Sequence, residues 1–241
     1  MLALLRAETL KLHRSLALLL CFAAPACVAA FAALALATAP GAKTWDRRLD
    51  EGLAMWSFFM LPMAVTALTI LVAQIEHGPR MWNHLLVLPV RRSRLFMAKT
   101  MVVAGLLIAM QFQVYAGLYL AGWLVEAILP SHHLNGPMQA RDMAVGLAAM
   151  GIGALAMLIV QLWAALRFRS FVIPLVIGIV GTFAALVITA SGSDVYLPWL
   201  LPVYATMWPR PSGQYGVVLG LTGGLVALAA MLIDLGRREH P

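Results

Sequence analysis

Six long apolar runs constrain this chain more than any other feature of its sequence. Their approximate limits are residues 16–39, 54–75, 99–125, 143–166, 171–190 and 215–235. A helix needs about 20 consecutive apolar residues to cross the hydrocarbon core of a membrane, and every run reaches that length. The chain is 62% hydrophobic and only 11% charged, whereas soluble domains are about 25% charged. The sequence therefore predicts an all-α integral membrane protein with six transmembrane helices.

The distribution of Lys and Arg predicts the orientation of these spans. Twelve of the 17 basic residues fall in the two termini and in the segments that join spans two to three and four to five. Basic residues collect on the cytoplasmic side of membrane proteins, so both termini are expected to be cytoplasmic. The same bias accounts for the net charge of +7. The sequence has no long basic patch interleaved with aromatic residues, the pattern that would indicate binding to nucleic acid.

Residues 1–15 precede the first span and predict a short interfacial helix. Leu2, Leu5 and Leu12 would share one face of this helix, with Lys11 and Arg14 roughly opposite. Such a pattern is typical of a helix that lies in the cytoplasmic interface. The alternative is a simple extension of the first span. Spans and short loops use up the chain, so we expect residues 1–241 to form one transmembrane domain.

The sequence predicts neither an enzyme nor a metal site. It has no HExxH motif, and its adjacent His132 and His133 are expected in a solvated loop. Asp234, near the cytoplasmic end of span six, favours pairing with Arg237 or Arg238 over a role in proton transfer. The chain also lacks the G-x-x-x-x-G-K-[ST] phosphate loop, so no cofactor is expected in it. If ATP and magnesium are used, another chain must bind them.

Three amide side chains interrupt the apolar spans. Gln111 and Gln113 lie near the middle of span three, and Gln161 lies in span four. Amides in a membrane must find hydrogen-bond partners. Bonding between helices is one interpretation, and lining a substrate path is the other.

A stripe of glycines marks one face of span six. Gly216, Gly220 and Gly224 recur every four residues, and Gly223 widens the stripe. This spacing lets another helix approach closely. It predicts tight packing, either within the subunit or between subunits.

The segment 76–98, between spans two and three, combines apolar and basic residues. Gly78 and Pro79 break the helix that ends with Glu76. A short helix should follow, and its exposed side is expected to consist of Met81, Trp82, Leu85, Leu86 and Leu88, bounded by Pro89, Arg91 and Arg92. It could lie on anionic lipid or bind a cytoplasmic partner, since exposed apolar patches often mark protein interfaces.

This segment resembles the corresponding part of the ABC-2 type permeases, especially the branch near the lantibiotic-immunity and bacitracin-resistance permeases. The shared pattern is an acid at the end of span two, then W-x-x-L-L-x-L-P-V-x-R, then a Lys that opens span three. The matching residues are Glu76, Trp82, Leu85, Leu86, Leu88, Pro89, Val90, Arg92 and Lys99. Glu8 and Lys11 before span one, the six spans and the broken apolar segment 191–213 also resemble that family.

The resemblance implies a partner and a mechanism. Such permeases pair as two six-span subunits, identical or not, above two copies of a separate cytoplasmic P-loop ATPase. The segment 76–98 would act as the coupling loop, the N-terminal helix would also contact the ATPase, and Glu76 would brace the loop against that helix. Spans one and five would form much of the subunit interface. One departure is the short, basic outer loop 40–53, which implies a minimal substrate cap.

The resulting prediction is the permease subunit of an exporter in the inner (plasma) membrane of a bacterium. Its substrate would be an amphipathic peptide antibiotic, drug or lipid-like molecule, as in antimicrobial-peptide immunity. A membrane scaffold or sensor subunit that recruits a cytoplasmic regulator is the alternative. A secondary transporter is disfavoured because midplane charges and repeat symmetry are missing.

Overall fold

A computed structural model describes residues 2–38, 43–77, 92–129, 134–192 and 196–237. The helices of these ranges are α1 (Leu2–Leu12), α2 (Leu16–Thr38), α3 (Trp45–Met55), α4 (Leu61–His77), α5 (Arg92–Ile128), α6 (Ala140–Gly153), α7 (Leu155–Arg167), α8 (Val172–Ala190), α9 (Leu201–Ala205) and α10 (Pro211–Arg237). A π-helical turn, Trp56–Met60, joins α3 to α4. Strands β1 (Lys43–Thr44) and β2 (Leu134–Asn135) form one short parallel pair.

Six helical segments of the described chain are long and apolar enough to cross a membrane. They are Leu16–Thr38, Trp45–Ile75, Ser93–Ile128, Ala140–Arg167, Val172–Ala190 and Pro211–Arg237. The prediction of an all-α membrane protein with six spans is confirmed. The second and fourth spans each combine two consecutive helices, with α3 and α4 in one and α6 and α7 in the other.

The region 40–53 differs from the loop that the sequence predicts there. Residues 45–55 form α3, which continues into the second span. Trp45, Leu49 and Gly52 recur at helical spacing and are buried, while Arg47 and Arg48 both pair with Glu51 across one turn. Of the charged residues that suggest a loop, Arg47, Asp50 and Glu51 lie on the exposed side of an amphipathic helix, and Arg48 is partly buried.

The chain is interrupted between α1 and α2 by a left-handed residue. Arg14 adopts a left-handed conformation with φ of 63°, which is uncommon for a residue with a side chain. The next residue, Ser15, accepts a hydrogen bond from the Leu18 N–H through its side chain at 3.3 Å. It caps the first turn of α2, so α1 is a separate helix and not an extension of the first span.

Helix α4 lies at the centre of the bundle, where it contacts α2, α7 and α8. Helix α2 packs along α5, and α10 packs against α6, α7 and α9. By contrast, only 22% of the most apolar stretch of α2 is buried, and the same fraction holds for α8. These two helices present their apolar surfaces outward, as expected for contact with lipid or with another membrane subunit.

The glycine stripe of α10 is used for packing within the chain. A Cβ atom on Gly220 would overlap the backbone of Gly153 in α6, and one on Gly216 would stand 2.6 Å from the backbone nitrogen of Ala205. Gly223 is different, because its Cβ would make an ordinary 3.5 Å contact with Ala156. Of the two possibilities that the sequence leaves open, the structure shows close packing inside the subunit.

Replacing Gly220 with Ala is expected to lower the free energy of unfolding by about 1–3 kcal/mol, because α6 and α10 must move apart. Gly223→Ala is the matched control: it gives the same gain in helix propensity, up to about 1 kcal/mol, without an overlap. Unfolding of both variants in mild detergent measures the difference. Equal stability of the two variants would contradict the close approach at Gly220.

Candidate functional site

The bundle has two ends that carry different features. We call one the Lys99 end; it holds α1, the end of α4, the beginning of α5 and the α7–α8 junction. The other is the α3 end, where α3, the strand pair and the segment 196–210 lie. Helices α4 and α5, which flank the sequence-predicted coupling loop, end and begin at the Lys99 end; residues 78–91 themselves lie outside the described residues.

A buried ion pair joins α1 to the third span at the Lys99 end. The Glu8 carboxylate accepts a hydrogen bond from Lys99 Nζ at 2.7 Å and another from Lys11 Nζ at 2.5 Å. The side chains of Glu8 and Lys99 are 5% and 2% exposed, while that of Lys11 is 22% exposed. Leu12, Val72, Ile75 and Val102 also border this site. The pair ties a helix outside the spans to the start of α5.

This arrangement differs from the predicted faces of α1. Lys11 was expected opposite the face of Leu2, Leu5 and Leu12, but it lies half-buried beside Glu8, while Leu12 of that face is buried; Leu10, outside that face, is 65% exposed. The reason is electrostatic: a buried carboxylate needs cationic partners, so the side of α1 that faces the bundle carries charge as well as Leu12.

The surroundings of Glu8 have opposing effects on its ionisation. Burial alone would raise the pKa of the Glu8 carboxyl, but the positive charges of Lys99 and Lys11 and their hydrogen bonds outweigh it and hold this pKa below its ordinary value of 4.5. The carboxylate is therefore ionised at neutral pH despite its burial.

Acid is expected to weaken this attachment. A lowered pKa in the folded state means that ionised Glu8 contributes stability above pH 4.5, and that this contribution is lost as the pH falls through the folded-state pKa. The stability difference between wild type and Glu8→Gln should therefore shrink below about pH 4.5. Unfolding of both proteins across this range measures it. A difference that stays constant in acid would contradict the assignment.

Most of the predicted coupling residues lie outside the described residues. These are Met81, Trp82, Leu85, Leu86, Leu88, Pro89 and Arg91. Glu76 lies in the last turn of α4 and Arg92 begins α5, but their side chains also lie outside the described part. The coupling role of all these residues stays a prediction.

The three amides each form a hydrogen bond to another helix. Gln111 accepts one from Trp56 Nε1 at 2.6 Å, beside the π-helical turn. Gln113 donates to the Cys21 carbonyl of α2 at 3.3 Å, and Gln161 donates to the Pro174 carbonyl of α8 at 2.5 Å. They thus connect helices in the way that amides in membranes commonly do. A further role in lining a substrate path stays a prediction.

Asp234 has partners on another helix. It accepts hydrogen bonds from Arg167 Nη1 at 2.5 and 2.8 Å and from Trp163 Nε1 at 2.9 Å. Both donors lie on α7, so this carboxylate fastens α10 to α7 at the Lys99 end. Contacts between helices distant in sequence cannot be deduced from i, i+3 or i, i+4 spacing, which is why the sequence pointed to Arg237 or Arg238.

Sequence reasoning missed a second site, an open cavity of about 880 Å³ at the α3 end. It is bounded by α3, the π-helical turn, the beginning of α6 and the segment 203–210. A signal was present in the sequence: Asp46 and Asp50 are four residues apart and would share a helical face. Because residues 40–53 were predicted to form a loop, the shared helical face of Asp46 and Asp50 was not recognised.

Six apolar spans joined by polar links between helices define a polytopic membrane protein. An ion pair at one end attaches the additional helix α1 to the third span. Comparison with known families is more specific, because the chain matches the family described as ABC-2 family transporter protein over residues 4–185. The chain belongs to this family. It is a membrane component of a transporter. No curated protein matches the chain, and no solved structure matches it.

Proposed function

We propose that this chain is the permease subunit of an ABC exporter in the bacterial inner membrane, and that it moves an amphipathic substrate outward with energy from ATP hydrolysis by a separate subunit. Two copies of a cytoplasmic P-loop ATPase and a second permease subunit would complete the transporter. Membership of the ABC-2 transporter family supports the class. The observation that carries the mechanism is the buried Glu8–Lys99 pair.

The position of this pair suggests how movement is transmitted. Lys99 lies seven residues, about two helical turns, after the first residue of α5. The predicted coupling residues 81–88 come just before that helix. A push on them would act on α5, and α1 would move with α5 because Glu8 holds Lys99 at 2.7 Å. The ATPase would thus act on α1 and α5 as one unit.

ATP can drive such a movement only if the ATPase favours one permease conformation over the other when ATP binds. In this proposal the apolar side chains around Trp82 and Leu85 transmit that preference. Glu76, at the end of α4, would brace the loop from its other side. The Lys99 end is then cytoplasmic, in agreement with the distribution of Lys and Arg.

The outward-facing surfaces of α2 and α8 suit the second permease subunit. Both helices are strongly apolar and mostly unburied within the chain. A substrate path between two such subunits would run beside apolar walls, with the partly exposed Gln113 beside α2 as the nearest of the three amides, since Gln111 and Gln161 are buried inside the subunit. This composition suits a peptide antibiotic, drug or lipid-like molecule.

Purification of the tagged protein from its own cells in mild detergent tests the proposal. We expect a stoichiometric ATPase with a Walker motif among the proteins that co-purify, identified by mass spectrometry. Recovery of a non-ATPase regulator in its place, under conditions that preserve membrane complexes, would contradict the exporter and favour a scaffold or sensor subunit.

A further inference from the structure

The open cavity at the α3 end has the dimensions of a ligand site. Its volume of about 880 Å³ lies within the range of about 300–1,000 Å³ that is typical of sites for small molecules. Three separate parts of the chain form its walls, namely α3 with the π-helical turn, the beginning of α6, and the segment 203–210. It is therefore a built recess between elements and not a groove along one helix.

Charges of both signs line this cavity. Asp46, Asp50 and Asp142 are acidic, and Arg141 and Arg210 are basic. None of these five side chains has an ion pair or a side-chain hydrogen bond among the described residues. One oxygen of Asp46, Oδ1, is buried and has no hydrogen-bond partner in the described part of the chain.

Neighbouring charges outside the cavity behave differently. On the same helix α3, Arg47 and Arg48 both pair with Glu51, at 3.1 and 2.8 Å. On the side away from the cavity the charges form ion pairs through Glu51, although Arg48 Nε there is also buried without a hydrogen-bond partner among the described residues; the charges on the cavity side form no such pairs in the described part of the chain. Unpaired charges that converge on a recess are available to a ligand with complementary charges.

The length of the second span places the cavity at the expected depth of lipid head groups. The helical segment Trp45–Ile75 has 31 residues, which corresponds to about 46 Å at about 1.5 Å per residue. The hydrocarbon core is only about 30 Å thick, and about 40–45 Å with both head-group layers. Because residues 54–75 can span the core, α3 projects into the head-group layer. Trp208, 41% exposed at the cavity, is a residue type enriched at that depth.

The balance of charges selects among ligands. A polycation would be repelled by Arg141 and Arg210, and an anionic amphiphile would be repelled by the three carboxylates. A zwitterion satisfies both sets, since Arg pairs well with phosphate and carboxylates pair with an ammonium group. Specificity arises as much from such repulsion as from attraction. The apolar walls, which include Leu53, Phe58 and Met207, suit an attached hydrocarbon chain.

We infer that this cavity binds a phospholipid through its zwitterionic head group, with Arg141 and Arg210 holding the phosphate, Asp46 and Asp50 holding the ammonium group, and the apolar wall receiving an acyl chain. In the proposed orientation this lipid belongs to the outer leaflet. Binding of this kind requires no ATPase and no transport, so its test is independent of the exporter proposal.

Binding of a fluorescent lysophosphatidylcholine to the purified protein in mild detergent, followed by fluorescence anisotropy, tests this inference. Unlabelled lysophosphatidylcholine should displace the probe. Lysophosphatidylglycerol, which is anionic, and an alkyltrimethylammonium of equal chain length, which is cationic, should each compete about tenfold less well, as expected for the loss of one ion pair with the cavity. A chain-free phosphocholine should compete least, because it lacks the acyl chain that the apolar wall receives.

Substitutions in the cavity locate the site. Arg210→Gln and Asp50→Asn should each weaken lysophosphatidylcholine binding by about tenfold, and Arg210→Gln should reduce the discrimination against the cationic amphiphile. Both side chains are exposed, so folding should be preserved, as a monodisperse elution profile would verify. Arg47→Gln is the matched control, since it changes a 79% exposed side chain on α3 outside the cavity.

Three results would overturn the inference. One is a wild-type protein that does not bind the zwitterionic probe. Another is binding that Arg210→Gln and Asp50→Asn leave at the level of Arg47→Gln, which would mean non-specific insertion of the probe. The third is stronger competition by a basic peptide than by lysophosphatidylcholine, which would make the cavity a site for cationic ligands.

Discussion

Glu8→Gln is expected to lower the free energy of unfolding by about 3–5 kcal/mol, the usual cost of removing one partner from a buried ion pair. Lys99 is almost fully buried, and the substitution removes the carboxylate that its ammonium group contacts at 2.7 Å. Loss of this contact should also release α1 from α5. Chemical unfolding in mild detergent measures the first effect, and protease accessibility of the N-terminal residues measures the second.

Two further variants separate the ion pair from a general effect of losing a surface acid. Adding Lys99→Met to Glu8→Gln should recover part of the stability, because the double variant no longer buries an ammonium group that has lost its contact with Glu8. Glu51→Gln breaks the exposed pair with Arg47 and the pair with the largely buried Arg48, and it should cost less than Glu8→Gln because Glu51 itself is 46% exposed. Strictly additive effects of Glu8→Gln and Lys99→Met would show that the two residues do not interact.

Trp82→Asp is expected to abolish ATP-driven function while the protein still inserts and folds. The substitution places a charge in the apolar side chains proposed to contact the ATPase, where an unpaired charge that loses water is strongly unfavourable. We expect the ATPase to be lost from the purified complex, with at least a hundredfold weaker association, or about 2.7 kcal/mol. Co-purification yield and ATP hydrolysis in the membrane fraction measure the effect.

Trp82→Phe is the control for this prediction, since it keeps an apolar aromatic ring at the same position. It should retain most of the ATPase. Unaltered association and ATP hydrolysis in a well-expressed Trp82→Asp protein would mean that the partner binds elsewhere. The α1 helix and its exposed Leu10 would then be the next surface to test.

The elements of the fold that the sequence alone predicted are the helices that consist of long apolar runs. An apolar run of about 20 residues has few alternatives to a membrane span, so α2, α8 and α10 could be located to within a few residues. The beginning of the second span was harder to predict, because the amphipathic α3 carries enough charge to resemble a loop. Its buried residues, Trp45, Leu49 and Gly52, face protein, and that became apparent only from the structure.

The candidate site was predictable in its residue types but not in its pairing. Glu8, Lys11 and Lys99 were all recognised from the family resemblance. Their contact depends on where α1 lies after the left-handed Arg14, and no periodicity in the sequence predicts that position. The same reason applies to Asp234 with Arg167 and to Trp56 with Gln111, which are distant in sequence and meet only through helix packing.

Site-specific photo-crosslinking tests the central claim, that residues 81–88 contact an ATPase, most directly. A photoreactive phenylalanine analogue in place of Trp82 would be irradiated in living cells, and the crosslinked product would be identified by mass spectrometry. The same analogue in place of Phe112, which is 70% exposed on the side of α5, is the control for contact with lipid or other spans. We predict that Trp82 yields a P-loop ATPase and that Phe112 does not. A crosslink from Trp82 only to lipid, or to a protein without a Walker motif, would contradict the account.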